Sequence, residues 1–452
     1  MTGTVINVVG GGLAGCEAAW RAASRGVRCV LWEMKPVKFS PAHRSPDLAE
    51  LVCSNSFRAS STDNAVGLLK EEMRRLGSVV MDAAARTAVP AGKALAVDRE
   101  RFSRLVTETV EAHPLIEVRR EELTGWPETP DPVVMSPGPL ASEPATELLG
   151  AATGKDSLSF YDALAPIVTS ESLDMTKVFS QDRYGPEGGG DYLNAPLEKA
   201  EFLAFLDALV EADRTAARSF EDEKYFEGCL PIEVMATRGP RTLTFGPMKP
   251  VGLTDPRTGR RPYAAVQLRR ENLEGTLWNI VGFQTRLTRP AQDKVFRMIP
   301  GLERCEFARY GAIHRNTFLS APDVLDPWQR LLPRPSVFMA GQISGVEGYV
   351  ESAAQGLWAG ENAARTVLGI PLSMPPRASA LGSLVSHLRP EGRGGPFAPS
   401  NVNFGLFPAL PKRLPRSESA ANRRRESASL RAEAALASWT PLKEDANHVF
   451  TW

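Results

Sequence analysis

The amino-terminal segment holds the feature that most constrains the fold of this chain, a strand–turn–helix–strand unit over residues 4–33. The apolar run TVINVV is typical of a buried parallel strand, and GGGLAGCEAAWRAASRG follows it as an alanine-rich helix that closes at Gly26. A second apolar run, VRCVLWE, ends at Glu33. The segment is therefore predicted to form a βαβ unit, the building block of a parallel sheet covered by helices.

The turn of this unit carries the pattern G-x-G-x-x-G at Gly10, Gly12 and Gly15. The first glycine allows a tight bend, the second lets the backbone approach a pyrophosphate, and the third lets helix and strand pack closely. The helix N-terminus attracts the anion, and Glu33 is placed to accept hydrogen bonds from ribose hydroxyls. We therefore predict a dinucleotide site formed by Gly10, Gly11, Gly12, Leu13, Ala14, Gly15 and Glu33.

FAD and NAD both fit that unit, and a second glycine-rich segment favours FAD. Residues 338–356 read FMAGQISGVEGYVESAAQG, a strand, then Gly341, then a helix. In flavoproteins built from two such turns, the late segment contacts the pyrophosphate and the ribityl chain of the flavin. Gln342 can hydrogen-bond a hydroxyl there. We expect Gly341 and Gln342 to complete an FAD site.

The sequence between these two segments has a different character. From about residue 155 to 310 it holds many short β-like segments and loops, including a hairpin predicted around NLEG. We predict an α/β fold in which a Rossmann-type FAD-binding domain with a parallel sheet is interrupted by an inserted α+β domain. The FAD-binding domain takes residues 1–153 and 312–372, the inserted domain 154–311, and a C-terminal loop and basic helix 373–452.

Composition narrows the class of protein further. The 53 Lys and Arg residues balance the 53 Asp and Glu residues, so any contact with nucleic acid has to come from local basic patches. The five cysteines lack the spacing of a zinc site or a disulfide framework, which favours reduced thiols in the cytoplasm. No metal site is predicted. No apolar run approaches the roughly 20 residues needed to span a bilayer, so we expect no membrane association.

A series of short motifs resembles one family specifically, the folate- and FAD-dependent tRNA (uracil-5-)-methyltransferases of the TrmFO type, which are related to the GidA/MnmG family. In chain order they are VVGGGLAGCEAAW, VCSNSF, AGKALAVDRERF, DYLNAP, FGPMKPVGL, VGFQTRL, RYGAIHRNTFL and GVEGYVESAAQG. The first and last are shared with the GidA/MnmG proteins, whereas CSNSF, FGPMKPVGL and HRNTF select the methyltransferase. The resemblance covers nearly all of residues 4–370 and thins in the C-terminal segment.

The resemblance implies methylation of uracil C5 in the tRNA T loop, at position 54. It implies 5,10-methylenetetrahydrofolate as carbon donor, reduced FAD as reductant and NAD(P)H as the source of electrons. The expected partners are tRNA and tetrahydrofolate, and no obligatory protein partner is evident.

Uracil C5 becomes a nucleophile when a thiolate adds at C6, and a base must later remove the C5 proton. The resemblance implies these functions for Cys53 and Cys229. We take Cys229 as the nucleophile and Cys53 as the group that handles the proton, and the reverse assignment stays open. Arg44 and Arg58 are candidates for a cation beside Cys53.

Further substrate contacts are expected for four residues. His314, in AIHRNTF, is a candidate to stack on the folate pterin ring, and Lys249, in a proline-rich loop, to bind a phosphate or the folate glutamate tail. Arg269 and Arg270 are expected to contact tRNA phosphates. Other basic candidates for tRNA are Arg238, Arg241, Arg257, Arg260, Arg261, Arg286, Arg289, Arg423, Arg424 and Arg425.

Three alternatives remain open from the sequence. The first is a ribosomal RNA uridine as the target in place of a tRNA uridine. The glycine motifs alone allow an FAD- or NAD-dependent oxidoreductase that acts on a small molecule, although this leaves the two thiols and the arginine-rich insertion unexplained. A non-catalytic RNA-binding protein that retains a flavin is the third.

Overall fold

The computed structural model describes residues 4–127, 130–154, 158–183, 189–215, 230–389, 397–410 and 419–439. Cys229 lies outside the described residues. The strands are β1 (Ile6–Val9), β2 (Cys29–Trp32), β3 (Ser56–Ala59), β4 (Ala88–Val89), β5 (Ala94–Val97), β6 (Ile116–Arg119), β7 (Val133–Met135), β8 (Leu158–Ala163), β9 (Ile167–Thr169), β10 (Phe179–Ser180), β11 (Tyr192–Leu197), β12 (Ala264–Arg270), β13 (Leu277–Ile280), β14 (Phe307–Arg309), β15 (Ile313–Phe318), β16 (Arg330–Leu331) and β17 (Arg334–Met339).

The helices are α1 (Leu13–Ser24), α2 (Ala65–Arg75), α3 (Val79–Arg86), α4 (Arg99–Glu111), α5 (Glu143–Thr153), α6 (Lys199–Glu211), α7 (Ile232–Thr237), α8 (Pro240–Phe245), α9 (Arg289–Phe296), α10 (Ala321–Val324), α11 (Tyr349–Leu368), α12 (Ala380–His387) and α13 (Ala420–Ser438). Within the described ranges, no helix is both long and apolar enough to cross a membrane.

The first sheet has the strand order β16-β17-β7-β1-β2-β6. Strand β1 pairs in parallel with β2 and with β7, and β17 pairs in parallel with β7. The predicted βαβ unit is therefore confirmed, since α1 connects β1 to β2. Residues that are distant in sequence complete this sheet, because β17 comes about 200 residues after β7.

Two glycines of α11 allow this helix to pack directly on α1. A Cβ atom at Gly356 would lie 2.1 Å from the carbonyl oxygen of Ala14, and one at Gly360 would lie 2.3 Å from that of Ala18. Larger residues would push the helices apart, so the close approach depends on glycine. This contact holds the late segment of the chain against the amino-terminal turn.

The second large sheet is antiparallel and has the order β10-β11-β12-β13-β9-β14. Strands β12 and β13 form the predicted hairpin, with Leu268 opposite Ile280. Phe205, Phe283 and Phe296 are buried in the core between this sheet and its helices. The predicted α/β class is thus confirmed, with one sheet parallel in its central strands and another built from residues 167–309. The exact domain boundaries stay a prediction.

Candidate functional site

The glycine-rich turn between β1 and α1 has the close contacts that its pattern predicts. Gly10 has φ +95°, and a Cβ there would lie 2.4 Å from the carbonyl oxygen of Ser136, the residue after strand β7. A Cβ at Gly15 would lie 1.8 Å from the carbonyl oxygen of Gly10. These two positions therefore require glycine for backbone geometry and helix packing.

Glu33 is buried at the end of β2 and braces this turn. One carboxylate oxygen accepts a hydrogen bond from the backbone N–H of Gly11 at 2.9 Å, and the other accepts from the N–H of Lys35 at 2.9 Å. A carboxylate has about four acceptor sites, so the same group retains capacity for ribose hydroxyls. Sequence reasoning identified Glu33 but did not foresee that it also supports the turn.

The late segment meets the turn from the opposite side. Gly341 has φ +79°, and a Cβ there would lie 3.1 Å from the Cβ of Ala14. The amide of Gln342 donates to a carboxylate oxygen of Glu347 at 2.6 Å, so part of its hydrogen-bonding capacity is already used. The structure thus brings both predicted glycine segments to one place.

These segments line a cavity of about 470 Å³. Sequence-predicted residues on its wall are Gly10, Gly11, Gly12, Leu13, Ala14, Glu33, Cys53, Arg269, His314, Gly341 and Gln342. Gly15 serves packing instead of lining the wall. Arg270 and Lys249 do not line it, and Lys249 lies half-buried on the loop after α8.

The cavity fits the pyrophosphate region of FAD. A Cβ at Gly12 would meet no heavy atom within 4 Å, so this glycine leaves open space at the N-terminus of α1 on the cavity wall. The first turn of α1 carries no acidic residue, and the N–H groups of a helix N-terminus attract an anion. The residues present therefore fit a bound dinucleotide.

Cys53 lies half-buried on the same cavity wall. The backbone N–H groups of Cys53 and Ser54 donate to the hydroxyl oxygen of Tyr349, at 2.7 and 3.1 Å. Burial, and then the nearby charge of Cys53, raise the pKa of Tyr349, so its phenol stays neutral. Tyr349 begins α11, and it therefore ties the thiol to the late glycine segment.

The cations with an electrostatic interaction with Cys53 include Arg99 and Arg309, which sequence reasoning missed. Burial, and then the neighbouring Arg99, lower the pKa of Arg309. Arg58, one of the two candidates for a cation beside the thiol, lines the same cavity and forms an ion pair with the buried carboxylate of Glu351. Arg99 and Arg309 lie in the motifs AGKALAVDRERF and RYGAIHRNTFL, but neither motif indicates that its arginine reaches Cys53, which is distant in the chain.

Two histidines line the cavity. Burial, and then Arg309, lower the pKa of His314, which keeps its ring neutral near pH 7. Sequence reasoning missed the second, His43, whose Nδ1 lies 2.6 Å from the hydroxyl oxygen of Ser40. Burial, and then the charge of Lys35, lower the pKa of His43 to about 4.

Arg269, for which we expected a contact with tRNA phosphates, is buried and lines the cavity. Its side chain is only 6% exposed and donates from Nε to Asn55 at 3.0 Å and from Nη2 to Ser54 at 2.9 Å. Arg270, half-buried beside it, places its guanidinium 5.5 Å from the centre of the Trp278 ring. In the part of the chain that the structure describes, no cluster of three potential metal ligands occurs.

Comparisons with known proteins agree with this geometry. The family model described as "Glucose inhibited division protein A" matches residues 5–371. A protein of Geobacter sulfurreducens named "Methylenetetrahydrofolate--tRNA-(uracil-5-)-methyltransferase TrmFO" is 60% identical over 91% of this chain and 94% of its own length. A protein of Desulfotalea psychrophila with the same name is 55% identical over 90% and 92%.

Among solved structures, that of Aquifex aeolicus GidA in the form II crystal superposes with a TM-score of 0.67 at 17% identity, over 96% of this chain and 74% of that one. At this identity the likeness shows the fold. From the family model and from relatives that match over nearly their whole length, we conclude that this chain belongs to the TrmFO family, within the broader group of glucose-inhibited-division-protein-A proteins.

Proposed function

We propose that this chain methylates C5 of uracil in tRNA, with 5,10-methylenetetrahydrofolate as the carbon donor and FAD as its flavin. The relatives named above are enzymes of this name. The single observation that carries the proposal is the position of Cys53, a thiol on the wall of the cavity that the two glycine segments form. A flavin oxidoreductase that acts on a small molecule gives no reason for this thiol.

The glycine turn of residues 10–15, Glu33 and the segment of Gly341 and Gln342 would hold FAD. When bound, FAD supplies the reducing equivalents that turn a methylene group into a methyl group, and we propose NAD(P)H as their source. His314 offers a neutral, half-buried ring face on which the folate pterin can stack.

Two thiols would serve the uracil. The thiolate of Cys229 adds to C6, which makes C5 a nucleophile toward the one-carbon unit. Cys53 then removes the C5 proton, and the bond between the one-carbon unit and the nitrogen of tetrahydrofolate breaks. Once the one-carbon unit is reduced to a methyl group, the bond between sulfur and C6 breaks and the thiol is restored. Cys229 precedes Ile232 by three residues in the sequence. The backbone N–H of Ile232 donates to the carbonyl of Gln284 at 2.7 Å, and Gln284 lines the cavity, which supports a role for Cys229 there. The reverse assignment of the two thiols remains the competing proposal.

We propose a T-loop uridine, at position 54, as the target, and the cytoplasm as the location. Exposed arginines of the inserted domain, among them Arg238, Arg241 and Arg261, supply positive charge for the phosphate backbone. The described cysteines, Cys16, Cys29, Cys53 and Cys305, are all unpaired, as in a reducing compartment.

The test is transfer of label from methylenetetrahydrofolate to a T-loop RNA by the FAD-loaded chain with NAD(P)H. We expect label in 5-methyluridine, and no product when S-adenosylmethionine replaces the folate. A ribosomal RNA fragment in parallel decides the target, because methylation of that fragment alone would contradict the choice of tRNA. Absence of transfer to either RNA would refute the proposed function.

The thiols are tested with Cys53→Ala and Cys229→Ala, and Cys305→Ala is the matched control because Cys305 is buried and does not line the cavity. Cys53→Ala and Cys229→Ala should both retain FAD and lose most methyl transfer. RNA carrying 5-fluorouridine should form a covalent adduct with wild type and with Cys53→Ala, but not with Cys229→Ala, since fluorine at C5 cannot leave as a proton. The opposite pattern would exchange the two roles.

A further inference from the structure

The residues Cys53–Asn55, here called the Cys53 loop, are fixed by contacts with β5 in the first part of the chain and with β12 of the second large sheet. Asn55 is fully buried, and its side-chain NH₂ donates to the carbonyl of Val97 at 2.9 Å and to the carbonyl of Arg270 at 2.9 Å. Val97 ends β5 in the first part of the chain, whereas Arg270 ends β12 of the inserted domain. The loop therefore bridges the two parts of the chain.

Arg269 adds two further hydrogen bonds from β12 to this loop. Nε donates to the side-chain oxygen of Asn55 and Nη2 to the hydroxyl of Ser54, the residue next to the thiol. The guanidinium presents these donors in a rigid planar fork, so one side chain fixes the relative positions of two loop residues. Lysine cannot reproduce this arrangement, because it presents one ammonium group.

Neighbouring contacts hold the same end of β12 in place. Arg99 at the start of α4 forms an ion pair with Glu271 at 2.9 Å and also donates to the carbonyl of Leu51, two residues before Cys53. The N-cap residue Asp98 accepts from the N–H of Leu273 at 3.1 Å. Arg269 thus reaches the Cys53 loop from a platform that is itself anchored to the first part of the chain.

We propose that Arg269 is a positioning residue that sets the placement of the Cys53 thiol through Ser54 and Asn55. The inference rests on the proposed function of Cys53. It replaces the phosphate contact that the sequence suggested, because a buried guanidinium with two protein acceptors is not a surface cation. The inserted domain thereby helps to determine the geometry of a thiol that lies on the flavin side of the cavity.

The experiment compares Arg269→Lys, Ser54→Ala and the double variant, each as the full FAD-loaded chain. We expect the kcat of methyl transfer to fall at least tenfold in Arg269→Lys, with the KM for tRNA within twofold of wild type. Ser54→Ala should lower kcat in the same direction. The double variant should be slower than Arg269→Lys by less than the full effect of Ser54→Ala, since the two changes share the Arg269–Ser54 contact while Ser54→Ala also removes the acceptor of the Ser56 N–H. The slope of tRNA affinity against salt should not change in Arg269→Lys.

A second readout does not depend on methyl transfer. The rate of alkylation of Cys53 by iodoacetamide, followed across pH by mass spectrometry of the peptide, should change at least fivefold in both single variants. Arg297→Lys is the matched control, because Arg297 is an inserted-domain arginine that donates to the carbonyl of Cys305, outside the cavity. Its alkylation profile should match wild type.

An unchanged kcat and alkylation profile in Arg269→Lys would overturn the proposal, and so would additive effects in the double variant. A reduced salt slope with unchanged kcat would restore the phosphate contact. If Arg269→Lys loses FAD or melts early, Ser54→Ala alone decides. If the alkylation rates of Cys53 in the wild type and the variants differ as expected but the wild type transfers no methyl group, the proposed function is refuted and the positioning inference stands.

Discussion

Replacement of Glu33 by glutamine tests the double role of this carboxylate. In the structure its two oxygens accept the backbone N–H groups of Gly11 and Lys35, and both contacts are buried. Glutamine keeps one carbonyl oxygen but presents an NH₂ group where the other oxygen stood, so one of the two N–H groups loses its acceptor. We therefore expect Glu33→Gln to destabilise the chain even when FAD is absent.

The magnitude follows from these contacts. A hydrogen bond to a charged group contributes about 1.5–3 kcal/mol, so loss of one should lower the free energy of unfolding of the FAD-free chain by about 2 kcal/mol. The ribose hydroxyls lose a charged acceptor as well. A further loss of about 1.5–3 kcal/mol corresponds to FAD affinity weakened roughly tenfold to 150-fold.

Urea unfolding of the FAD-free chain and titration of that chain with FAD measure the two effects separately. Glu117→Gln is the matched control, since Glu117 lies on the neighbouring edge strand β6 with its side chain about half exposed, paired with Arg119. The control should change neither quantity by more than about 0.5 kcal/mol. Unchanged stability of Glu33→Gln would refute the bracing role, and unchanged FAD affinity would refute its placement at the ribose.

Three further outcomes are expected. Gly12→Ala should preserve stability yet weaken FAD binding at least tenfold, because its Cβ points into open space on the cavity wall. Gly15→Ala should destabilise the chain, because its Cβ would lie 1.8 Å from a carbonyl oxygen. Thermal melting and FAD titration distinguish the two variants, and equal melting temperatures would contradict the packing argument. His43 is neutral when folded, and its lowered pKa of about 4 means that the unfolded chain binds the extra proton as pH falls from about 6.5. The contribution of His43 to the free energy of unfolding is complete above that pH and should fall by about 2 kcal/mol by pH 5. Urea unfolding of His43→Gln should lack this loss. An identical pH dependence of stability in the variant and the wild type would exclude His43 as its source. Arg241→Ala should lower the slope of log affinity for tRNA against log salt by about 0.9 without altering the flavin spectrum, and an unaltered slope would place the phosphates elsewhere.

The amino-terminal βαβ unit, the late strand and helix, and the hairpin of the inserted domain were predictable because their patterns are local. Apolar runs define β1 and β2, and the spacing of glycines defines the turn between them, so a short window of sequence contains the physical cause of the structure. Gly10, Gly15 and Gly341 could be assigned for the same reason, since tight turns and close packing have few other solutions.

The sequence did not indicate which charged and titratable side chains would surround the cavity. Arg99, Arg309 and His43 come together only after strands from distant parts of the chain have paired, and sequence reasoning named none of them. Arg58, one of the two cations that the sequence suggested beside the thiol, lines the same cavity and pairs with Glu351.

The sequence by itself therefore determined the dinucleotide turn, the fold class and the family resemblance, because these depend on short patterns of glycine, apolar residues and motifs. Only the tertiary structure decided that Arg269 is buried against the Cys53 loop while Arg241 remains exposed. Both are arginines of one basic region, and the difference arises because β12 is packed against the first part of the chain, whereas the segment of Arg241 faces solvent. Burial of a charged side chain depends on what the rest of the chain places around it.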